Sequence, residues 1–466
     1  MNANNSPWLH QLKATRPIDI INENVKADII IVGAGISGVM TAYFTLKYTN
    51  KSVIILEGNK VAHGATGHNA GQIVADFERE LSDLVSEYGL EKAAAAERDV
   101  RGAWLLLEEI FEEANLETPF STFVGYNGFR EHDHIIEELK DNAIRSEAGL
   151  QTYPVYIAND FEGVKNIPSE FKNLYELVPR ADILSLLETK DHSYAAAVAL
   201  RKGCVNSALL CEELIGYLLA KYKGRFALFE HTSVENLELE KESTKLFLET
   251  ARRDNSPEEK YSASAEKVIL CTNGFERLSI KNLFGGDIDT KFHQMINGDV
   301  GYMAGFVEEL KEPPTALGYY DQKGDKDVYG TKDYFYITRR PFEMENKQIH
   351  NLICIGGPEK EIGQTQDYDR RAEFSPEMGQ KIDKFAKKTL KNAEKKDLEY
   401  RFQWHGVMCY TPTKMRIIGP EPKNQTLIYN LGCNGVGILA SIYGGWKIAK
   451  ILAGEKFASS IFDPRG

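Results

Sequence analysis

The sequence lacks several features that mark membrane, secreted and nucleic-acid-binding proteins. It has no apolar run of about 18 residues, so no transmembrane segment is expected. Its first 27 residues contain no apolar signal core and predict a surface arm with Trp8 as an anchor. Basic residues are few, because 56 Lys and Arg stand against 68 Asp and Glu. The resulting net charge of −12 argues against nucleic acid or an anionic membrane as a partner.

Cysteine is also scarce, and its spacing excludes two further classes of protein. The six cysteines include no C-x-x-C pair, so neither a disulfide framework nor a zinc site is expected. Reduced thiols and a cytoplasmic location are predicted instead. His132 and His134 flank Asp133, but such a cluster is typical of a solvated turn, and no metal site is predicted.

What is present is an ordinary globular composition, with 42% hydrophobic residues in 466, enough for two domains. The informative stretch runs from Asp28 to Gly71. A β-branched strand at 29–32 leads directly into the turn GAGISG at 33–38, and apolar residues at helical spacing follow. A second strand at 53–56 ends on Glu57, which completes a βαβ unit.

The glycines of this unit predict a dinucleotide site. Gly33 permits the tight turn, Gly35 lets a diphosphate approach the backbone, and Gly38 allows close packing of helix on strand. The helix N-terminus offers free N–H groups to the diphosphate. Glu57 lies 19 residues after Gly38, where an acid binds ribose hydroxyls and disfavours a 2′-phosphate. FAD or NAD therefore fits, and NADP does not.

A second run of small and polar residues, GATGHNAG at 64–71, favours FAD, because a flavin ring needs a backbone-lined bed beyond the diphosphate. This stretch resembles the D-amino acid oxidase (DAO) superfamily of FAD-dependent oxidoreductases, whose pattern here is G-A-S/T-G-R-N-x-G. The chain departs from that pattern by carrying His68 in place of Arg.

The resemblance continues in three later segments. Val234, in the exit 231–234 from a strand at 226–229, matches a residue that packs by the adenine in this family. The turn at 272–274 matches a small-small-Gly cofactor contact, and the turn at 432–437 matches the one lying against the flavin ring. In the family the helix after that turn points at the pyrimidine edge and stabilises the charge of the reduced flavin. The predicted cofactor-binding residues are Gly33, Gly35, Ile36, Ser37, Gly38, Glu57, Gly58, Ala65, Thr66, Gly67, His68, Asn69, Gly71, Gln72, Val234, Thr272, Asn273, Gly274, Gly432, Asn434, Gly435, Val436, Gly437 and Ile438.

The implied fold is α/β: a Rossmann-like FAD-binding domain, discontinuous in sequence, and a substrate domain built on a mostly antiparallel sheet with helices. We assign 27–118, 190–285 and 402–460 to the FAD domain, 119–189 and 286–401 to the substrate domain, and 1–26 to the arm. Within these ranges we expect strands at 291–305 and 329–340, a lysine-rich helix at 374–401, and an apolar stripe formed by Trp104, Leu105, Leu106 and Ile110.

The resemblance implies an enzyme that oxidises a C–N bond of a small amine or amino-acid derivative to an imine, with electrons passing through FAD to oxygen or another acceptor. Two alternatives stay open: a dehydrogenase that reduces a quinone or protein carrier, and a protein whose FAD is purely structural. No catalytic side chain is assigned, because a neutral amine can transfer hydride directly. Oligomeric state is not predicted.

The substrate class depends on a missing arginine. Amino-acid oxidases of the family hold the substrate carboxylate with a Gly-Leu-Arg, whereas the best match here is Gly406-Val407-Met408. Arg339, Arg340 or Arg416 could replace that arginine from elsewhere, or the aromatic run Tyr334, Phe335 and Tyr336 could form a cage for a cationic amine. A secondary amine, polyamine derivative or N-methylated amine is therefore favoured over a simple amino acid.

Flavin attachment is also left open by the sequence. His68 occupies the position of a flavin-linked histidine in one branch of the family, and Cys409 lies one residue from the register of a flavin-linked cysteine in another. The remaining alternative is a noncovalent flavin with His68 near its phosphates.

Overall fold

The structure is a computed structural model that describes residues 4–13, 16–250, 259–274, 278–320, 334–362, 368–390 and 398–465. Its helices are α1 Pro7–His10, α2 Ile36–Tyr48, α3 Leu81–Tyr88, α4 Leu90–Ala114, α5 His132–Glu147, α6 Arg180–Leu186, α7 Ser207–Lys221, α8 Asp289–Gln294, α9 Pro376–Thr389 and α10 Gly437–Leu452. In these ranges no helix is both long enough and apolar enough to cross a bilayer.

The strands form two large sheets. They are β1 Val25–Val32, β2 Val53–Leu56, β3 Gln72–Val74, β4 Phe120–Phe129, β5 Val155–Ala158, β6 Glu176–Val178, β7 Ala196–Val205, β8 Phe226–Phe229, β9 Thr232–Leu239, β10 Thr244–Thr250, β11 Glu259–Leu270, β12 Ser279–Asn282, β13 Asn297–Glu309, β14 Thr315–Tyr320, β15 Tyr334–Glu343, β16 Ile349–Ile362, β17 Phe402–Tyr410, β18 Ile417–Glu421 and β19 Asn424–Leu431.

The first sheet is built around the predicted βαβ unit. Its strand order is β12-β9-β10-β11-β1-β2-β8, with β19 paired to β11 and β18 paired to β19. Strands β11, β1, β2 and β8 are mutually parallel. Successive residues of β1 enter two different cores: Ile29 and Ile31 pack with the helices, and Ile30 packs on the opposite face. This burial on both faces explains why the strand is a continuous β-branched run.

The second sheet has the order β17-β13-β16-β15-β14-β4-β7-β5-β6, with β3 paired to β7. Its pairs are antiparallel except for β14 with β4 and β5 with β6. The prediction of an α/β fold with a mostly antiparallel second sheet is therefore confirmed. Strands β7 and β17 belong to this sheet, although they lie in the ranges 190–285 and 402–460 that we assigned to the FAD domain. The domain boundaries themselves stay a prediction.

Three local predictions were wrong. The strand predicted from residue 291 begins only at Asn297, because α8 precedes it and buries Phe292 against Tyr429. The lysine-rich helix ends at Thr389, where Leu390 turns into extended backbone and bridges to Thr189; residues 391–397 lie outside the described ranges. Leu105 is 68% exposed because it follows the buried Trp104 by one position on α4 and faces away from it. Of the strand predicted at 329–340, residues 329–333 lie outside the described ranges and β15 covers the rest.

Candidate functional site

The turn between β1 and α2 can be formed only by glycine at two positions. Gly33 has φ +101°, and a Cβ there would lie 3.0 Å from the carbonyl oxygen of Cys271. A Cβ at Gly38 would overlap the carbonyl oxygen of Gly33, so α2 packs directly onto the turn. Gly35 is the N-cap of α2 and provides no side-chain cap, which leaves the helix end open to a ligand apart from the Ile36 amide, which donates to Thr66 Oγ1.

Glu57 lies beside this turn at the end of β2. One of its carboxylate oxygens accepts a hydrogen bond from the amide of Ala34 and the other from that of Asn59, both at 2.8 Å. Each oxygen keeps a further lone pair for a ribose hydroxyl. Burial raises the pKa of Glu57. A Cβ at Gly58 would lie 3.1 Å from Ser233 Oγ, which places Val234 at the same end of the site. Val234 lies within β9, not at the end of β8 as the sequence suggested.

The second glycine loop lies across the α2 N-terminus and then enters the second sheet. Thr66 Oγ1 accepts from the amide of Ile36 at 2.9 Å, and Asn69 holds the loop together by donating to Thr66 O and Ser207 Oγ. Ala65 and Gly67 bound the short 3₁₀ turn of this loop. Gln72 begins β3 directly afterwards, and its buried Nε2 has no hydrogen-bond partner in the protein. A buried donor without a partner points to a ligand acceptor at this place.

His68 lies in this loop in its neutral form. Its Nδ1 is 2.9 Å from the carbonyl oxygen of Gly64, so Nδ1 carries the proton and Nε2 the lone pair. Burial lowers the pKa of His68 to about 4.

The third turn and the C-terminal turn interlock. Asn273 has φ +68°, and its Oδ1 accepts from the amide of Cys433 at 2.9 Å. The buried Thr272 Oγ1 beside it has no protein partner, and Gly274 follows with φ +93°. In the C-terminal turn, Gly432, Asn434 and Gly435 all have positive φ. Val436 is the N-cap of α10 and gives no side-chain cap, and Gly437 and Ile438 open the helix.

Ser37 differs from the other predicted residues, because its side chain is engaged within the protein. Its hydroxyl donates to the carbonyl oxygen of Asn430 at 3.0 Å and also contacts Arg416. Ser37 therefore joins α2 to β19, and only its backbone is left to contact a ligand.

Comparison with known proteins identifies the family of this chain. The family model for FAD dependent oxidoreductases (DAO) matches residues 28–451. The chain belongs to this family.

Individual relatives are more distant. The gamma-glutamylputrescine oxidoreductase of Escherichia coli is 32% identical over 77 residues, which are 16% of this chain and 18% of that protein's length. Glycine oxidase from Geobacillus kaustophilus superposes with a TM-score of 0.66 at 17% identity, over 94% of this chain and 98% of its own. L-proline dehydrogenase from P. horikoshii gives a TM-score of 0.61 at 16% identity, over 92% and 94% of the two chains. These two solved structures share the fold.

Because the chain belongs to this family, FAD is its cofactor, and the residues present in the chain fit FAD. A Cβ at Gly38 would fill the cradle formed by Gly33, Gly35 and Gly38, and a Cβ at Gly33 or Gly35 would come close to a neighbouring atom. The N-terminal end of α2 suits a diphosphate, and Glu57 suits a ribose. The unpartnered Gln72 Nε2 suits an acceptor atom of a flavin ring. The residue-by-residue contacts to FAD remain predictions.

A cavity of about 410 Å³ opens beside the C-terminal turn and is lined in part by Gln72 and Val436. Seven carboxylic acids and four basic side chains line it: Asp76, Glu78, Glu80, Asp83, Glu87, Glu138 and Asp141, with Arg79, Arg145, Lys202 and Lys414. Both arginines are already paired, Arg79 with Glu87 at 2.9 Å and Arg145 with Glu97 at 2.7 Å. The cavity therefore carries an excess of acid.

Glu78 is the acid nearest the C-terminal turn. A Cβ at Gly435 would overlap its carboxylate, so the two residues are in contact. Tyr410 donates to Oε2 at 2.8 Å and Tyr334 to Oε1 at 3.3 Å. Burial nevertheless raises the pKa of Glu78 to about 7.

Lys202 is one of the buried basic residues that line the cavity. It is 3% exposed, and its Nζ donates to Asn127 Oδ1 at 2.8 Å. Burial lowers its pKa to about 7, and burial likewise raises the pKa of Asp76 to about 7.

Each arginine suggested as a carboxylate ligand is engaged away from the cavity. Arg339 forms a bidentate pair with Glu188, and Arg340 stacks on Trp8 at 4.8 Å. Arg416 is buried among cofactor segments, where it bonds to Asn430 Oδ1 and Gly432 O. None of the three lines the described cavity.

The aromatic run is divided between two faces of β15. The rings of Tyr320, Tyr334 and Tyr336 contact one another at centroid distances of 5.4 and 5.5 Å and line the cavity. Phe335 points the other way and stacks on Phe385 at 4.2 Å. The alternation of a strand explains the division, and it also corrects the prediction that all three aromatic residues form a cage.

The sequence analysis did not single out Asp76, Glu78, Asn127 or Lys202 as site residues. Asp76 and Glu78 follow β3, the strand that comes directly after the second glycine loop. Their position beside a predicted cofactor loop could have marked them as site residues. Lys202 is brought in by the pairing of β7 with β3, where it lies opposite Val74, and nothing in its local sequence marks it.

Proposed function

We propose that this protein oxidises a C–N bond of a small cationic amine to an imine, with FAD as the electron acceptor of the first half-reaction. The observation that carries the proposal is the contact between Glu78 and Gly435, which puts a carboxylate inside an acid-rich cavity at the turn expected to face the flavin. The relative named gamma-glutamylputrescine oxidoreductase is consistent with an amine substrate.

The charges of the cavity favour an amine over an amino acid. A substrate carboxylate would need an unpaired guanidinium, whereas Arg79 and Arg145 are paired with Glu87 and Glu97. A substrate ammonium would instead meet Glu78 and the faces of Tyr334 and Tyr336, which attract cations.

Glu78 would hold the substrate nitrogen and take its excess proton. FAD, when bound, supplies the hydride acceptor, and an amine can give up hydride only after it loses its ammonium proton. Glu78, with a pKa of about 7, can accept this proton at neutral pH. Tyr410 and Tyr334 fix its carboxylate, so the nitrogen is positioned as well as deprotonated.

An amine panel under argon tests the proposal. Purified yellow protein is mixed with an N-acylated diamine, a free diamine, an N-methylated amine, glycine or sarcosine. The loss of flavin absorbance is then followed at about 450 nm, where any oxidised flavin absorbs. We expect bleaching by at least one amine that lacks a carboxylate. Bleaching by glycine or sarcosine alone would contradict the substrate class, and bleaching by no member would contradict amine oxidation.

A matched pair of variants tests the role of Glu78. Glu78→Gln should raise the amine concentration for half-maximal bleaching about 10- to 100-fold, as expected for a lost charge-assisted contact. Asp83→Asn removes another carboxylate that lines the cavity but keeps Glu78, so it should change this concentration less than about threefold. Equal effects would mean that only the net charge matters. Readmission of air then measures whether oxygen serves as the final acceptor.

A further inference from the structure

Cys433 differs from the other five cysteines of the chain. The other five are buried, whereas Cys433 is partly exposed in the C-terminal turn. Its sulfur accepts a hydrogen bond from the amide of Cys409 at 3.2 Å and another from Asn273 Nδ2 at 3.6 Å. Two N–H donors converging on one sulfur form a site that suits a thiolate.

The surrounding charges support the anionic form. Arg416 is 5% exposed, and its hydrogen bonds go to the neutral groups of Ser37, Asn430 and Gly432. This guanidinium and the Cys433 sulfur act on each other electrostatically, which favours the thiolate. Glu78 and Tyr410 are the other titratable groups that act on this sulfur, and Glu78 opposes its ionisation. Hydrogen bonds, that from the Cys409 side chain first, lower the pKa of Cys433 to about 6.

Cys409 is placed to react with its neighbour. The amide of Asn434 donates to the carbonyl oxygen of Cys409 at 2.8 Å, so the two chain segments touch at this point. In its thiol form Cys433 donates to that carbonyl oxygen at 3.8 Å. The Cys409 side chain also acts on the Cys433 sulfur as a hydrogen-bond partner. None of the six cysteines, all of which are described, is in a disulfide.

We propose that Cys433 and Cys409 form a peroxide-reactive thiol pair that closes to a disulfide across the C-terminal turn. The Cys433 thiolate attacks one oxygen of hydrogen peroxide, the O–O bond breaks, and a sulfenic acid and hydroxide form, the latter becoming water with a proton from solvent. The Cys409 sulfur then displaces water from the sulfenic acid. Two thiols are oxidised and one peroxide is reduced to two water molecules. Only an internal supply of hydrogen peroxide depends on the proposed function, because reduction of oxygen during amine oxidation would provide it.

Labelling of the intact yellow protein tests the thiolate. At pH 7 iodoacetamide should modify Cys433 at least about tenfold faster than any other cysteine, and the rate should be half-maximal near pH 6, as read by peptide mass spectrometry. Labelling of Cys433 at the rate of the buried Cys211 would overturn the proposal.

Added hydrogen peroxide tests the disulfide without any amine turnover, so its outcome is independent of the proposed function. We expect a peptide pair linked through Cys409 and Cys433, reversed by dithiothreitol. Cys409→Ser should stop at a sulfenic acid that dimedone traps on residue 433, whereas Cys204→Ser, a buried control, should form the link normally. Oxidation of Cys433 to sulfinic acid with no link in the parent protein would refute the pair.

Discussion

The indole ring of Trp8 lies directly against Gly71. A Cβ at Gly71 would come within 2.6 Å of Trp8 Cη2, and Gly71 has φ +66°, so glycine is required there for two reasons. Trp8 Nε1 also donates to the carbonyl oxygen of Asn69 at 2.6 Å. Ser6 Oγ bonds to Gly67 O in the same loop. The N-terminal arm thus holds the second glycine loop from outside.

This contact predicts that Trp8→Ala weakens FAD retention. The substitution removes a fully buried side chain, at a cost of about 3–5 kcal/mol in the free energy of unfolding, and it frees the loop that bears His68 and Asn69. Trp104→Ala, equally buried but in α4, is the control for general destabilisation. In gel filtration, Trp8→Ala should lose FAD and Trp104→Ala should keep it while folded. Equal retention would mean that the arm does not support the loop.

Glu57 should determine FAD affinity through its charge. Glu57→Ala removes a charge-assisted hydrogen bond of roughly 1.5–3 kcal/mol, so the dissociation constant should rise about 10- to 100-fold in a fluorescence titration of FAD-free protein. Asp28→Asn is a useful control, because Asp28 also accepts from the backbone, at Ser52, but in the middle of β1 and not at the end of β2. An unchanged affinity in Glu57→Ala would show that the ribose lies elsewhere.

The βαβ unit that we expect to hold FAD could be predicted from sequence because its determinants are local. Gly33, Gly38 and Glu57 act through backbone shape within one βαβ unit, and the spacing of such a unit is visible in the chain. The mostly antiparallel second sheet was also predictable from alternating, aromatic segments.

The residues that line the cavity could not be predicted, because they depend on which strands pair. Lys202 reaches the cavity only because β7 pairs with β3 and β4. Tyr334 and Phe335 are neighbours in sequence, yet they face opposite sides of β15, and the register that decides between them is set by distant strands. The engagement of Arg339 by Glu188 is likewise a contact between segments 151 residues apart.

For His68 we expect a noncovalent flavin. His68 shares its loop with Thr66, whose Oγ1 accepts from the amide of Ile36 at the N-terminus of α2, and this favours a position along the dinucleotide over one at the far end of the ring. Acid precipitation should therefore leave the yellow colour in the supernatant. His68→Ala should weaken FAD binding, and His68→Arg, which restores the common family residue, should preserve it. Colour that stays with the pellet of the parent protein, and leaves it in His68→Ala, would establish a covalent link instead.

Glu78 should make the protein less stable and more active as pH rises. Its folded pKa of about 7 lies above the value of 4.5 for an unperturbed glutamate, so between these values the folded state binds more protons than the unfolded state. Stability contributed by the protonated group is therefore lost as pH rises through about 7. Glu78→Gln, which stays neutral, should gain on the order of 1–3 kcal/mol over the parent at pH 8 and almost nothing at pH 4.

The rate of amine oxidation should rise with pH as Glu78 ionises, whereas the stability contributed by Glu78 falls. The ionised carboxylate attracts a cationic amine and accepts its proton, so kcat/KM in the parent should rise with pH through about 7. Glu78→Gln should lose this rise together with the pH-dependent stability, as measured by thermal melts and single-turnover bleaching across pH 5 to 9. If the variant gains no stability at pH 8, Glu78 is not the buried acid described here. If stability shifts while the pH profile of bleaching does not, Glu78 is a structural acid and another group receives the proton.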